Sequence, residues 1–281
     1  MGRRIRESGR EEMNGLKNKA LIFAVGWLAV WALIALFSPI FFMTEALRID
    51  VSGALQGPSW AHGFGTDALG RDLLARTLCG SSVSLGISVA AVMLALFIGT
   101  WLGAIAGYLG GWTEKFLMGL VDVMLCFPVF FLILAVSAVV GPNIFNIFLI
   151  LALTGWMGTA RLVRAEALSL RDREFILAAR VLGGGPFWVL RKHLIPNTLR
   201  PVVVSGVLGI SGAILVEGGL SFLGVGVRPP VPSWGNLLMD GKATLGYGWW
   251  MTFFPGLAIF LTVFSLNILG DALNTYLQAD Q

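Results

Sequence analysis

Residues 77–113 read TLCGSSVSLGISVAAVMLALFIGTWLGAIAGYLGGWT and hold no charged side chain. Residues 123–160 and 243–270 are equally free of charge, and residues 201–227 hold one, Glu217. A soluble domain carries about 25% charged residues; here 13% are charged, 56% are hydrophobic, and the mean hydropathy is +0.80. A helix that crosses a bilayer needs ~20 consecutive apolar residues. These runs therefore predict an all-α, polytopic membrane protein with about six transmembrane helices, over residues 20–42, 82–108, 122–140, 144–160, 202–225 and 249–269. The third and fourth meet at Gly141-Pro142-Asn143, a turn between two apolar halves. No internal repeat is evident.

Four segments follow: a basic tail over 1–19, the first helix over 20–42, an outer segment over 43–80, and a permease-like core over 81–275 that contains a loop at 161–200. The first apolar stretch is long and continues into Phe-Ser-Pro-Ile-Phe-Phe, which favours an uncleaved helix over a signal peptide. Six crossings with the tail inside place fifteen Lys and Arg on the inner side and five, Arg48, Arg71, Arg76, Arg228 and Lys242, outside. The positive-inside bias thus predicts cytoplasmic termini at a bacterial-type inner membrane. It also accounts for the net charge of +4, so nothing points to nucleic acid.

Cys79 and Cys126 fall near opposite membrane faces, too far apart for a disulfide, and are expected to be small packing residues. The chain has no G-x-x-x-x-G-K-[ST] phosphate loop, no H-E-x-x-H and no G-x-S-x-G. His62 and His193, its only histidines, are expected on opposite sides. No catalytic, cofactor or metal residue is assigned, and no enzyme activity is expected.

The loop at 161–200 begins RLVRAEALSLRDREFILAARVLGGGPFWVLRKHLIPN. Phe175, Ala178, Ala179 and Leu182 recur at i, i+3, i+4 and i+7, one apolar stripe on a helix. Gly183-Gly184-Gly185-Pro186 should end that helix, and a second short one over 187–194 should stop before Pro196. The stripe fits a helix lying on the membrane or one presented to a soluble partner. Its small alanines favour the partner, because they allow close approach.

The series Glu174…Ala178-Ala179…Leu182-Gly183…His193-Leu194-Ile195-Pro196-Asn197 is similar to the Glu-Ala-Ala loop of ATP-binding-cassette importer permeases. Three further stretches resemble the same family in the same order. They are Gly65-Thr66-Asp67-Ala68-Leu69-Gly70-Arg71-Asp72, Ala106-Gly107-Tyr108-Leu109-Gly110-Gly111-Trp112, and Ser221-Phe222-Leu223-Gly224-Val225-Gly226-Val227 leading to Pro232-Ser233-Trp234-Gly235. Together they resemble the C-type permease of dipeptide, oligopeptide and nickel importers, over roughly residues 62–277. The resemblance implies a type I importer permease fold that forms half of a pathway. It implies a second permease subunit, two cytoplasmic ATPase subunits that bind the ATP, and an extracytoplasmic substrate-binding protein. Glu174, Phe175, Ala178, Ala179, Leu182 and Gly183 would then couple to an ATPase. Leu177 stands where many members carry the loop glutamate, so the usual salt bridge is not implied.

The outer Gly-Thr-Asp-x-x-Gly-Arg-Asp segment is read as structural, with Thr66 or Asp67 capping a short helix and Arg71 and Asp72 pairing locally. Gly99, Gly103 and Gly107 make a small-residue face that suits a neighbouring helix or a sister subunit equally well. Pro128 should kink the third helix. Glu217 is the one charge deep in a span and must face protein or water. With Ser221 one turn on, it is the candidate pathway or gate residue, or else a buried interhelical contact. An ion-coupled secondary transporter is the alternative function, resting on Glu217 alone.

Overall fold

A computed structural model of the chain describes residues 2–141 and 143–279, with side chains over 18–141 and 143–277. The tail arginines and Pro142 of the expected turn lie outside those side chains. The described residues are helical apart from turns and a single bridge between Thr66 and Asp72. Two compact units divide the chain: residues 1–83 with 232–281, and residues 84–231.

The first unit holds α1 (Gly2–Phe41), α2 (Met43–Leu47), the start of α3 (Leu73–Leu109), α10 (Trp234–Lys242) and α11 (Trp250–Ala279). The apolar part of α1 has mean hydropathy 2.5, yet only 11% of that window is buried. A helix apolar on all sides and so little covered within its own chain offers most of its circumference to lipid or to a neighbouring membrane subunit. Its packed side meets α11, where the Trp27 indole donates to Thr262 Oγ1 at 3.2 Å. Trp31 meets Trp234 edge-on at 5.0 Å, and the Trp234 indole donates to the Thr77 carbonyl at 3.0 Å. Trp234 thus buries its ring completely and still finds an acceptor for its N–H.

The segment before α3 ends at Asp72, and both capping expectations for it are corrected. Asp72, not Thr66 or Asp67, caps α3, accepting the Ala75 N–H at 2.8 Å. Asp67 is 1% exposed and gathers the N–H groups of Leu69 and Arg71 and the guanidiniums of Arg71 and Arg76. Arg71 therefore pairs with Asp67, while Asp72 pairs with His62 at 2.9 Å. The cause is Arg76, fully buried one turn into α3. A buried guanidinium needs counter-charge, and Asp67 and Asp240 supply it. Cys79 is buried, but Cys126, in the second unit, is exposed and so is not the packing residue expected; both thiols are free.

The second unit holds α3 from Ser84 onward, α4 (Gly111–Leu125), α5 (Val129–Val140), α6 (Ile144–Leu170), α7 (Glu174–Val181), α8 (Pro186–Val189) and α9 (Ile195–Phe222). A π turn over Leu190–Leu194 joins the last two. The third helix expected over 122–140, with a kink at Pro128, is α4 and α5, bent there by 82°. Pro128 removes a backbone donor, and its own ψ of 116° leaves the helical region. The 12 residues of α5 reach only about 18 Å, short of a ~30 Å hydrocarbon core. A crossing here must use the end of α4 as well. Five helices are long and apolar enough to span, or six with the bent pair as one.

Two more boundaries differ from expectation. α6 runs on to Leu170, ten residues beyond the expected end of its span. Ion pairs hold that extension to α4, Arg161 with Asp122 at 2.5 Å and Arg164 with Glu114. The short helix after the glycines does not stop before Pro196, for α8, the π turn and α9 form one run over Pro186–Phe222. Pro196 falls in the first turn of α9, where a missing N–H costs least. The π turn just before it changes the backbone pairing.

Candidate functional site

The loop after α6 is built from two turns. α7 ends in a Schellman motif: the Gly184 N–H reaches the Ala179 carbonyl and the Gly183 N–H that of Arg180, both at 3.0 Å. Gly183 sits at φ +87°, a conformation that costs glycine nothing. A Cβ on Gly184 would strike the Trp188 ring at 2.8 Å, so the turn presses α8 against α7.

Burial along α7 does not follow the stripe read from the sequence. Ile176 and Ala179 face inward and join Tyr108, Val163, Ala167, Val189, Leu194 and Val202 in one core cluster. Phe175, Ala178 and Leu182 are exposed. Their spacing is helical, but the second turn of the loop covers only one side of α7. Ala179 thus packs mainly within its own chain, where the expectation had it facing a partner, and keeps only an edge on the adjoining groove. Glu174 is exposed in the first turn, and Leu177 is 44% exposed. Arg180 donates to the Tyr108 hydroxyl at 3.1 Å, with its guanidinium 4.7 Å from the ring centre. α7 therefore shares one packed core with the ends of α3, α6 and α9.

Between the turns lies a groove of about 540 Å³, lined by Phe175, Ala178, Ala179, Leu182, Gly183 to Gly185, Trp188 and His193. The Trp188 and His193 rings meet edge-on at 4.9 Å. His193 Nε2 is sealed from solvent and has no hydrogen-bond partner among the described residues.

Glu217 is 1% exposed. It accepts from Ser84 Oγ of α3 at 2.9 Å and from Ser221 Oγ at 2.8 Å. Ser221 in turn accepts the Val227 N–H at 3.0 Å. The carboxylate therefore ties α3 to the end of α9 and to the chain that follows. A second Schellman turn shapes that chain, with Gly224 at φ +80° and the Val225 N–H on the Leu220 carbonyl at 3.0 Å.

Gly99, Gly103 and Gly107 all pack on α6, against Trp156, Ala160, Val163, Arg164 and Ala167. Of the two contacts left open by the sequence, this glycine face makes the one within the chain. A cavity of about 210 Å³ between α3, α5, α6 and α9 is lined mainly by small and apolar side chains, among them Ala95, Ile133, Gly155, Gly209 and Ala213. Sequence reasoning missed this cavity and the Asp67–Arg71–Arg76–Asp240 cluster. The only signal for the cluster is Arg76 next to a charge-free run.

Residues 99–280 match the family model described as the binding-protein-dependent transport system inner membrane component. This chain belongs to that family. As such it is a multi-pass inner-membrane permease component, and the matched stretch contains both the α7–α8 loop and Glu217. Among curated relatives, the permease is 38% identical over 257 residues to the dipeptide transport system permease protein DppC of Alkalihalophilus pseudofirmus, spanning 92% of this chain and 84% of that one. It is 39% identical over 259 residues to the oligopeptide transport system permease protein OppC of Haemophilus influenzae, spanning 92% and 83%. Its fold resembles a chain of the inward-facing MetNI methionine ABC transporter, with TM-score 0.57 and 17% identity over 73% of this permease and 96% of that chain.

Proposed function

We propose that this permease is one membrane subunit of an ATP-driven importer of peptides or closely related solutes. It pairs with a second permease subunit, receives substrate from an extracytoplasmic binding protein, and is driven by two cytoplasmic ATPase subunits that hold the ATP. The observation that carries this reading is the near-full-length likeness to the two peptide permeases. The α7–α8 loop supports the mechanism. Exposed Glu174, Phe175, Ala178 and Leu182 meet the ATPase, while buried Ile176 and Ala179 transmit its motion into the helices. Both termini and this loop lie in the cytoplasm. Glu217 and Ser221 hold the outer end of α9 in place rather than contacting substrate.

Uptake of labelled di- and oligopeptides into proteoliposomes that hold the whole complex tests the reading. Uptake should require ATP and the binding protein. Uptake driven by an imposed ion gradient without ATP would overturn it.

A further inference from the structure

Phe187 and Trp188 stand side by side on α8 but serve different neighbours. Trp188 lines the groove beside α7. Phe187 turns instead to α3 and stacks on the Trp101 indole, with ring centres 5.6 Å apart and planes 18° apart. Phe97, one turn away on α3, meets the same indole edge-on at 6.4 Å. We propose that this aromatic platform, with Arg191 beside it, binds the headgroup region of an anionic phospholipid. The proposal needs only the membrane placement of this chain, so it stands or falls separately from the choice of transported solute and from its energy source.

Three observations select a lipid. The first is continuity with the bilayer. Val89, Met93, Phe97 and Trp101 fall at every fourth position of α3, inside its charge-free run, and the first three are exposed. The platform thus ends an apolar strip on a helix long enough to span. The second is depth. Gly99 and Gly103 bracket Trp101 and pack against Trp156, Ala160 and Val163 of α6. Arg161, directly after Ala160, is the first charge on α6 and pairs with exposed Asp122. Trp101 is therefore level with the point where charges begin, the depth at which tryptophan rings meet headgroups. The third is charge. Arg191 follows Phe187 by four residues, one helical turn on, with Lys192 next to it. Both are exposed and make no ion pair among the described residues. The whole run from Pro186 to Val216 holds no carboxylate side chain. Unpaired basic groups at this depth attract anionic headgroups.

Titration of phosphatidylglycerol into the delipidated permease, purified in neutral detergent with its sister subunit, reads the site by native mass spectrometry. The wild type should bind phosphatidylglycerol in preference to phosphatidylcholine. Arg191→Gln with Lys192→Gln should weaken that binding by roughly fivefold for each charge removed, and Phe187→Ala should weaken it as well. Arg173→Gln removes an equally exposed, unpaired charge from the far side of the loop and should change nothing. Glutamine suits a helix, so the melting temperature of the lipid-free Arg191→Gln, Lys192→Gln protein should match that of the wild type. Phosphatidylglycerol with brominated acyl chains should quench tryptophan fluorescence, and the conservative change Trp101→Phe should remove part of that quenching. Equal affinity of the wild type for the two lipids would overturn the proposal. So would equal losses in Arg173→Gln and in the Arg191→Gln, Lys192→Gln protein, or quenching that Trp101→Phe leaves untouched. Phe187→Ala that separates from the sister subunit and keeps its lipid affinity would assign the platform to that subunit and overturn the lipid site.

Discussion

A lone carboxylate inside a membrane bundle is tolerable only when its oxygens are satisfied. Glu217 is satisfied by hydroxyls, and this dictates how substitutions behave. Ser221 already accepts the Val227 N–H, so its own hydrogen points at Glu217. Glutamine can turn its carbonyl oxygen to Ser221 and donate its amide to Ser84, whose hydroxyl rotates to accept. Glu217→Gln should therefore keep most ATP-driven uptake and cost about 1 kcal/mol or less. Glu217→Ala removes the acceptor that both serine hydroxyls use and should cost about 1–3 kcal/mol. Thermal unfolding in detergent and uptake by the reconstituted complex measure both. Loss of transport in a stable, assembled Glu217→Gln complex would instead place the carboxylate on the substrate path.

At the scale of elements, the α3–α6 contact depends on having no side chain on α3. A Cβ on Gly103 would overlap the Ala160 carbonyl and come within 3.0 Å of Val163, so the two backbones touch. Gly103→Val should separate the helices and destabilise the second unit by about 1–3 kcal/mol. Gly119→Val on α4, where a Cβ meets nothing within 4 Å, should be far milder; equal melting temperatures for the two variants would refute the contact. α7 gives the complementary case. Ala179 is 6% exposed inside the cluster that joins α7 to α3, α6 and α9. Ala179→Asp buries a carboxylate with no designed partner, so it should lower expression and stability. A stable Ala179→Asp permease that fails only in coupling would show this face of α7 to be open to the partner after all.

For the molecule as a whole, the open quantity is the parity of its crossings. Counting the bent α4–α5 pair as one span puts the α7–α8 loop on the same side as the N-terminus; counting it as re-entrant puts them on opposite sides. The charge bias selects the first. In a background with Cys79 and Cys126 replaced, a cysteine at Ser59, exposed in the outer segment, should react with an impermeant reagent applied to intact cells. One at Ser169, exposed near the end of α6, should react only after the membrane is opened. External labelling at Ser169 would make the bent pair re-entrant and remove the loop from the cytoplasm.

Composition alone determined the class of this protein, because charge-free runs as long as residues 77–113 have no stable place except a bilayer. The glycine-ended loop at 183 was equally legible, since it needs a residue at positive φ and only glycine adopts it freely; the turn at Gly224 was not, for the expected span ran on through it to residue 225. Periodicity also gave α7 its helix and its apolar residues. Which of them face inward depended on where Val189, Leu190 and Val202 return in space, and that is information no local window holds. The same limit hid the charge cluster at the start of α3: Arg76 and Asp240 are distant in sequence, and only the fold brings the carboxylate to 3.1 Å from the guanidinium. Pro128 announced a bend but not its 82°. Pro196 announced a break where a π turn allowed the helix to continue. A proline removes one donor, and only the packing around it decides whether the chain turns or runs on.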